Sequence, residues 1–407
     1  MKRSTLIRNL LFQILMLVFF CAFTSLMPFN CGSSKHLNVK TEQGPFPPYG
    51  GKRETIFDKD SIPVEVKEYD AKGTLRRHTT RSHDAKNRTT EASDLVYDEN
   101  KDLTRGAKFS RTYADELDVA GKTIYSKYDP QTKKFIPVKP LVSGYEQAMI
   151  NKPPDSLKLD PFYKKYTNAN GIPIVSSEKV PDAALLIARD IVNFMLMKRQ
   201  DVRRELMKRR SRVMIMAENE METDLPERRY WKKPERYDQR LTPFEKENYD
   251  KPGGIGSMTD KGYWNQRTRG MGGNEVSCAE ENLLGYAGTR YYGENILVHE
   301  FSHNIMSAIE TADPALYAEI QQAYNSALSK GLYKNQYAIN TVNEYWAEGS
   351  QWWFWSNIEF YDGVTRIQSP DDLKAYDPVL YHIFERVYEG HKIPADVYYS
   401  LNLSPVR

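Results

Sequence analysis

The chain has 407 residues, with 57 Lys and Arg against 54 Asp and Glu, for a formal net charge of +3. That length holds two or three domains with a full hydrophobic core, and the even balance excludes a protein that wraps a polyanion by bulk charge. No basic stripe marks a nucleic-acid face, so no nucleic-acid partner is expected, and 3 cysteines cannot make a disulfide framework.

Lys2, Arg3 and Arg8 precede an apolar run from Leu10 to Phe23 that only Gln13 interrupts. A basic start followed by an apolar stretch of this length is an export signal, too short for a comfortable membrane-spanning helix. Residues 1–31 are therefore read as a signal peptide or a lipoprotein signal. Ala22, Thr24 and Ser25 suit ordinary cleavage and secretion. Cys31, followed by Gly32-Ser33-Ser34, suits a lipid anchor and membrane attachment at the cell envelope. Both endings stay open. In the first, Cys31 and Cys278 are free to form one bridge in an oxidising compartment.

Residues 32–60 carry Gly44-Pro45-Phe46-Pro47-Pro48-Tyr49-Gly50-Gly51, the composition of an extended linker. Residues 61–150 read as a small antiparallel β region. Val64-Glu65-Val66-Lys67-Glu68-Tyr69-Asp70 alternates and stops at Lys72-Gly73, a turn signal. The pair Tyr-Asp recurs at Tyr97-Asp98 and Tyr128-Asp129, close to thirty residues apart, as imperfect hairpins would place it. Arg76, Arg77, His78, Arg81 and His83 form a basic patch, read as a solvated strand face. Asn87-Arg88-Thr89 and Asn402-Leu403-Ser404 match the glycosylation sequon.

Residues 151–407 form the main domain. Its start, to about 178, reads as a connector. Pro181-Asp182 then opens a helix with Leu185, Ala188, Ile191, Val192, Met195 and Leu196 at helical spacing. Val213-Met214-Ile215-Met216-Ala217 reads as a strand, and as a sheet edge to which an extended peptide adds. Residues 226–275 read as a long polar loop whose Gly253-Gly254-Ile255-Gly256 and Gly270-Met271-Gly272-Gly273 only form turns, since neither has the setting of a phosphate cradle.

The most informative stretch is His299-Glu300-Phe301-Ser302-His303, inside an apolar-periodic segment. On a helix, residues four apart lie one above the other, so both imidazoles reach one metal ion. Glu300 is turned about 100° away and lies beside that ion, placed to take a proton from water. Two imidazoles with an open position favour Zn²⁺ over Mg²⁺ or Ca²⁺. With only 7 His in the chain, this pairing is a rare accident; His382 and His391 show no such pairing and read as structural.

A third ligand comes from downstream. Glu344 and Glu348 are again four apart, in a helix that continues through Trp352 and Trp353. One carboxylate completes the site and the other accepts the free N–H of a ligating imidazole. Trp346, Trp352, Trp353 and Trp355 read as core rather than pocket wall.

With these residues in view, the region from about 160 to 395 resembles the gluzincin metallopeptidases of the anthrax-lethal-factor-like catalytic-domain class. His299-Glu300-Phe301-Ser302-His303 matches the first motif of that class, Glu344-Tyr345-Trp346-Ala347-Glu348 matches its E-x-x-A-E helix, and Tyr337 stands seven residues before Glu344. Glu280-Glu281-Asn282-Leu283-Leu284 and Tyr292-Gly293-Glu294 are also similar to exported relatives of the class. The resemblance implies an α+β, zincin-like metallopeptidase domain behind the small β region. It implies His299, His303 and Glu344 as zinc ligands, Glu300 as general base, Tyr337 beside the metal and Glu348 behind a ligating histidine. It implies a zinc endopeptidase acting on peptide or protein substrates. The alternative is a catalytically inactive surface binding protein on the same scaffold. A third reading, an enzyme covered by its own N-terminal region, finds no cysteine switch in support.

Overall fold

The computed structural model describes residues 38–394, apart from 47–48, 59–62, 86–88, 115–118, 139–149, 239–240, 242, 252–253, 287–288, 292, 335 and 362–363. The export signal, Cys31, Asn87, Asn402 and Tyr292 lie outside the described residues. Among the described residues, no helix is long and apolar enough to cross a membrane.

The architecture is mixed α+β. Eight strands form one antiparallel sheet in strict chain order. They are β1 (Asn38–Phe46), β2 (Gly50–Phe57), β3 (Pro63–Asp70), β4 (Leu75–His83), β5 (Thr89–Tyr97), β6 (Leu103–Ala114), β7 (Val119–Asp129) and β8 (Lys134–Val138). The recurring Tyr-Asp pairs end β3, β5 and β7, and each Asp builds the hairpin turn that follows. Asp70 Oδ1 accepts from the Lys72 and Thr74 amides at 3.0 and 2.8 Å. Asp98 Oδ1 accepts from Asn100 and Asp102, both at 2.8 Å. Asp129 Oδ1 accepts from Gln131 at 2.9 Å. A short carboxylate that bonds amides two and four residues on stands in for a backbone turn, which is why Asp recurs there.

Two expectations change here. The segment 32–60 is not only linker: its described part supplies β1 and β2, because Lys40↔Thr55 and its neighbours pair as a regular ladder despite the nearby Gly and Pro. The basic patch is not a solvated face either. Arg76 is buried, Arg77 pairs with Asp94 at 2.6 Å, and Arg53 with Glu68 at 2.5 Å. These residues form a charged ladder across β2 to β5. The same face carries Arg81 and Arg111, which reach Glu218 of the helical region at 3.3 and 3.0 Å. Beside them, the Phe109 and Tyr286 ring centroids are 5.8 Å apart and the Arg111 guanidinium lies 3.9 Å over the Tyr286 ring. Arg76 and Arg111 are buried, and Arg53, Arg77 and Arg81 half-buried, because their partners are carboxylates and rings rather than water.

The second sheet has the order β12-β11-β10-β9. Its strands are β9 (Lys165–Ala169), β10 (Ile172–Ser176), β11 (Arg212–Met216) and β12 (Glu275–Ala279). The expected connector thus contains a hairpin. Asn170 and Gly171, at φ 50° and 100°, make its two-residue turn, the left-handed pair such a turn demands. β10, β11 and β12 are parallel, joined first through helices Asp182–Met195 and Gln200–Lys208. β11 therefore lies inside the sheet, hydrogen-bonded on both sides, and offers no free edge to a peptide. The long polar loop also holds the helix Asp260–Arg267 and a small cluster of Leu241, Tyr249, Ile255 and Tyr263.

Below this sheet lie four longer helices: Ile296–Ala312 (the histidine helix), Pro314–Lys330, Val342–Trp353 (the glutamate helix) and Pro378–Val387. One core joins sheet and helices, with Ile174, Val213 and Val276 above and Phe301, Trp346 and Phe384 below. Trp346, Trp352 and Trp353 are buried in the core as expected, whereas Trp355 is only half-buried and lies outside that cluster. Gly349 lets the glutamate helix approach its neighbour, for a Cβ there would stand 2.6 Å from Leu380 Cδ2.

Glu218 is the charge that docks the antiparallel sheet on the helical region. Replacing it by Ala leaves buried arginines without that carboxylate, at a cost on the order of 3–5 kcal/mol. The expected outcome of Glu218→Ala is faster amide hydrogen exchange in β4 and β6 and unchanged protection in the histidine helix.

Candidate metal centre

The histidine helix begins where two asparagines satisfy its first amides. Asn295 Oδ1 accepts from Val298 at 3.1 Å, and Asn282 Oδ1 accepts from Ile296 at 2.8 Å. The glutamate helix begins at Thr341, whose hydroxyl accepts from the Glu344 amide at 3.1 Å. Glu344 is three residues past this cap, a position from which a Glu often reaches back to the cap. Here its carboxylate turns instead to the two imidazoles. The helices are locked face to face by the Trp346 indole, which donates to Ser302 O at 3.0 Å.

This packing brings together the three groups expected to share an ion. Glu344 Oε2 lies 3.1 Å from His299 Nε2 and 3.7 Å from His303 Nε2. Each residue offers one ligand atom, and the three atoms lie within 4.8 Å of one another. Glu344 Oε2 is buried and makes no hydrogen bond of good geometry. A carboxylate oxygen facing two imidazole nitrogens, without a proton to share well, is the arrangement a cation completes. The donor set, two imidazole nitrogens and one carboxylate oxygen, could hold a metal ion.

The electrostatics point the same way. Burial pulls His299 down, but Glu344, Glu300 and Glu348 overrule it and hold its pKa well above the ordinary value. His303, further from the carboxylates, is carried down by burial to about 4. Burial lifts Glu344, yet the adjacent His299 imidazole, with help from His303 and Tyr337, brings it below its usual range. Three carboxylates around one imidazole thus demand positive charge at this place.

Glu300 stands beside the three donors. Burial, reinforced by Glu344, pushes its pKa up to about 7. Gly272 runs against it: a Cβ there would lie 3.2 Å from both Glu300 Oε2 and His303 Cδ2. The segment 270–273 was expected only to turn, yet it forms a wall of the site, held by a pair of backbone bonds between Met271 and Ser277 on β12. Tyr337 lies at the open side, 39% exposed, with its ring centroid 6.4 Å from that of His299. Burial of its hydroxyl near Glu344 and Glu300 holds its pKa well above normal.

Glu348, expected behind a ligating histidine, is close but not closest. Its Oε1 is 3.5 Å from His299 Nδ1, while its Oε2 accepts from Asn357 at 2.8 Å. The nearer partner of His299 Nδ1 is Gln351 Oε1, at 3.0 Å. Gln351 was not singled out from the sequence; its place seven residues after Glu344, on the same helix face, was the available signal. Glu294 joins this side of the site: burial and Glu348 push its pKa up to about 8. His382 lies exposed beside Glu385 and the His391 ring is tilted against that of Trp353; neither belongs to the group of donors. Cys278 is fully buried in β12 and has no disulfide partner among the described residues; Cys31, the partner considered for it, lies outside them.

If these donors hold an ion, a divalent metal at a hundredfold excess over its Kd stabilises the folded chain by about 2.7 kcal/mol. Thermal unfolding with Zn²⁺ is expected to show that gain in the wild type and none in Glu344→Ala or His303→Ala. Comparison with protein-family models gives no match for this chain, and comparison with curated proteins gives none either.

Proposed function

We propose that the protein is an exported, zinc-dependent endopeptidase with a zincin-like domain, secreted or lipid-anchored at the cell envelope. The observation that carries this reading is the convergence of His299, His303 and Glu344 on one point with Glu300 and Tyr337 at its rim. A binding scaffold without catalysis has no need of a carboxyl group poised near neutrality next to an open cation site.

His299, His303 and Glu344 would hold the ion. Zinc in such a setting supplies Lewis acidity, acidifying water to a pKa of about 7 and polarising a carbonyl. The remaining work belongs to the chain. Glu300 takes the proton of the attacking water and delivers it to the leaving amine. The Tyr337 hydroxyl donates to the oxygen of the scissile carbonyl as negative charge develops there; loss of such a donor typically costs about 2.7–4 kcal/mol. Gly270 and Gly272 let this wall pack directly on the site residues, for a Cβ at Gly270 would stand 2.4 Å from Ile296 Cγ2 and one at Gly272 3.2 Å from Glu300 Oε2. Because β11 is interior, the peptide is not expected to extend that strand.

Glu300→Gln removes the base and keeps the ligands. The expected outcome is unchanged zinc content with turnover of a peptide library reduced by about 10²–10⁴-fold. Equal cleavage by variant and wild type contradicts the assignment of Glu300. Zinc binding without any cleavage by either protein supports an inactive surface binding protein instead.

A further inference from the structure

We propose that Gln351 is a positioning residue that fixes the proton and the orientation of the His299 imidazole and so sets the affinity of the metal centre. The inference rests on the reading of His299 as a metal ligand, and concerns a residue that neither motif contains.

Gln351 is fully buried in the third turn of the glutamate helix. An amide side chain can be turned either way, so its oxygen and nitrogen must be assigned from their partners. Here the partners decide. One end of the amide lies 3.0 Å from the backbone oxygen of Asn295. A carbonyl oxygen only accepts, so that end is the Nε2 donor. The other end is therefore Oε1, an acceptor, and it lies 3.0 Å from His299 Nδ1. Facing an acceptor, Nδ1 must carry a proton. In the neutral ring the lone pair then belongs to Nε2, the nitrogen that lies 3.1 Å from Glu344 Oε2. The chain of constraints runs from the helix cap at Asn295, through Gln351, to the nitrogen that binds the ion.

Glu348 does not fill this role, because its nearer oxygen is 3.5 Å from Nδ1 and its other oxygen is engaged by Asn357. A neutral amide also differs in kind from a carboxylate behind a ligating histidine. It orients the ring without adding charge to a site that already holds Glu344, Glu348 and Glu294. Losing such an outer partner typically weakens metal affinity about 10–100-fold.

The test measures zinc affinity of the full chain by competition with a chromophoric chelator, alongside the proton NMR signal of His299 Nδ1–H in the zinc-loaded, ¹⁵N-histidine-labelled protein. The wild type is expected to show a slowly exchanging Nδ1–H signal on His299. Gln351→Leu is expected to weaken zinc binding about 10–100-fold, with that signal lost to solvent exchange. Equal affinity in Gln351→Leu and wild type overturns the inference. So does a loss of affinity in Glu348→Gln with none in Gln351→Leu. If Gln351→Leu does not fold, the wild-type spectrum still decides: a rapidly exchanging Nδ1–H overturns the inference, and a protected one supports it. A wild type that binds no zinc overturns the metallopeptidase reading itself, a result distinct from all of these.

Discussion

The structure turns on one oxygen atom. Glu344 Oε2 sits buried against two imidazole nitrogens and has no well-formed hydrogen bond. Leaving a charged acceptor dry and unsatisfied is costly, so the arrangement makes physical sense when something positive completes it. In the metal-free chain, His299 takes that part by holding a proton well above its normal pKa. A divalent ion would displace that proton and serve all three donors at once. The neighbouring carboxyl groups respond to the same crowding: burial raises Glu348, and lifts Glu294 to about 8 and Glu300 to about 7.

Two helices have to meet in one register for this to occur. Their start points are pinned by Asn282, Asn295 and Thr341. Their contact is pinned by Trp346, whose indole donates to Ser302 O, and by Gly349, whose missing side chain admits the helix Pro378–Val387. The hydrophobic core beneath then makes the register hard to change, since Phe301, Trp346, Phe354 and Phe384 are all fully buried in one cluster. Ligand geometry is thus a consequence of ordinary helix capping and packing. The antiparallel sheet meets the helical region through charge and aromatic contact at Glu218, Arg81, Arg111, Phe109 and Tyr286.

What the sequence made legible was what repeats at short range. His299 and His303, or Glu344 and Glu348, announce themselves because a helix returns to the same face every four residues. The Tyr-Asp pairs at 69–70, 97–98 and 128–129 announce hairpins because the Asp side chain itself makes the turn. What escaped was non-local. β11 reads as an edge in isolation, and only its pairing with both β10 and β12 places it inside the sheet. The arginines of β4 read as solvated until Asp94, Glu68 and Glu218 come to meet them. Asn170-Gly171 has the residues a two-residue hairpin turn needs, but it lies inside a stretch that reads as a connector, and only the pairing of β9 with β10 shows the hairpin. Gln351 lay on the right helix face, but a lone amide carries no signal of its own until Asn295 O fixes which way it points.

The most direct measurement is the anomalous difference map at the zinc edge from crystals of the full chain grown with Zn²⁺. The account predicts one strong peak within about 2.0–2.2 Å of His299 Nε2, His303 Nε2 and a Glu344 oxygen, at distances typical of zinc. No peak there, with the ion bound elsewhere or not at all, would contradict it.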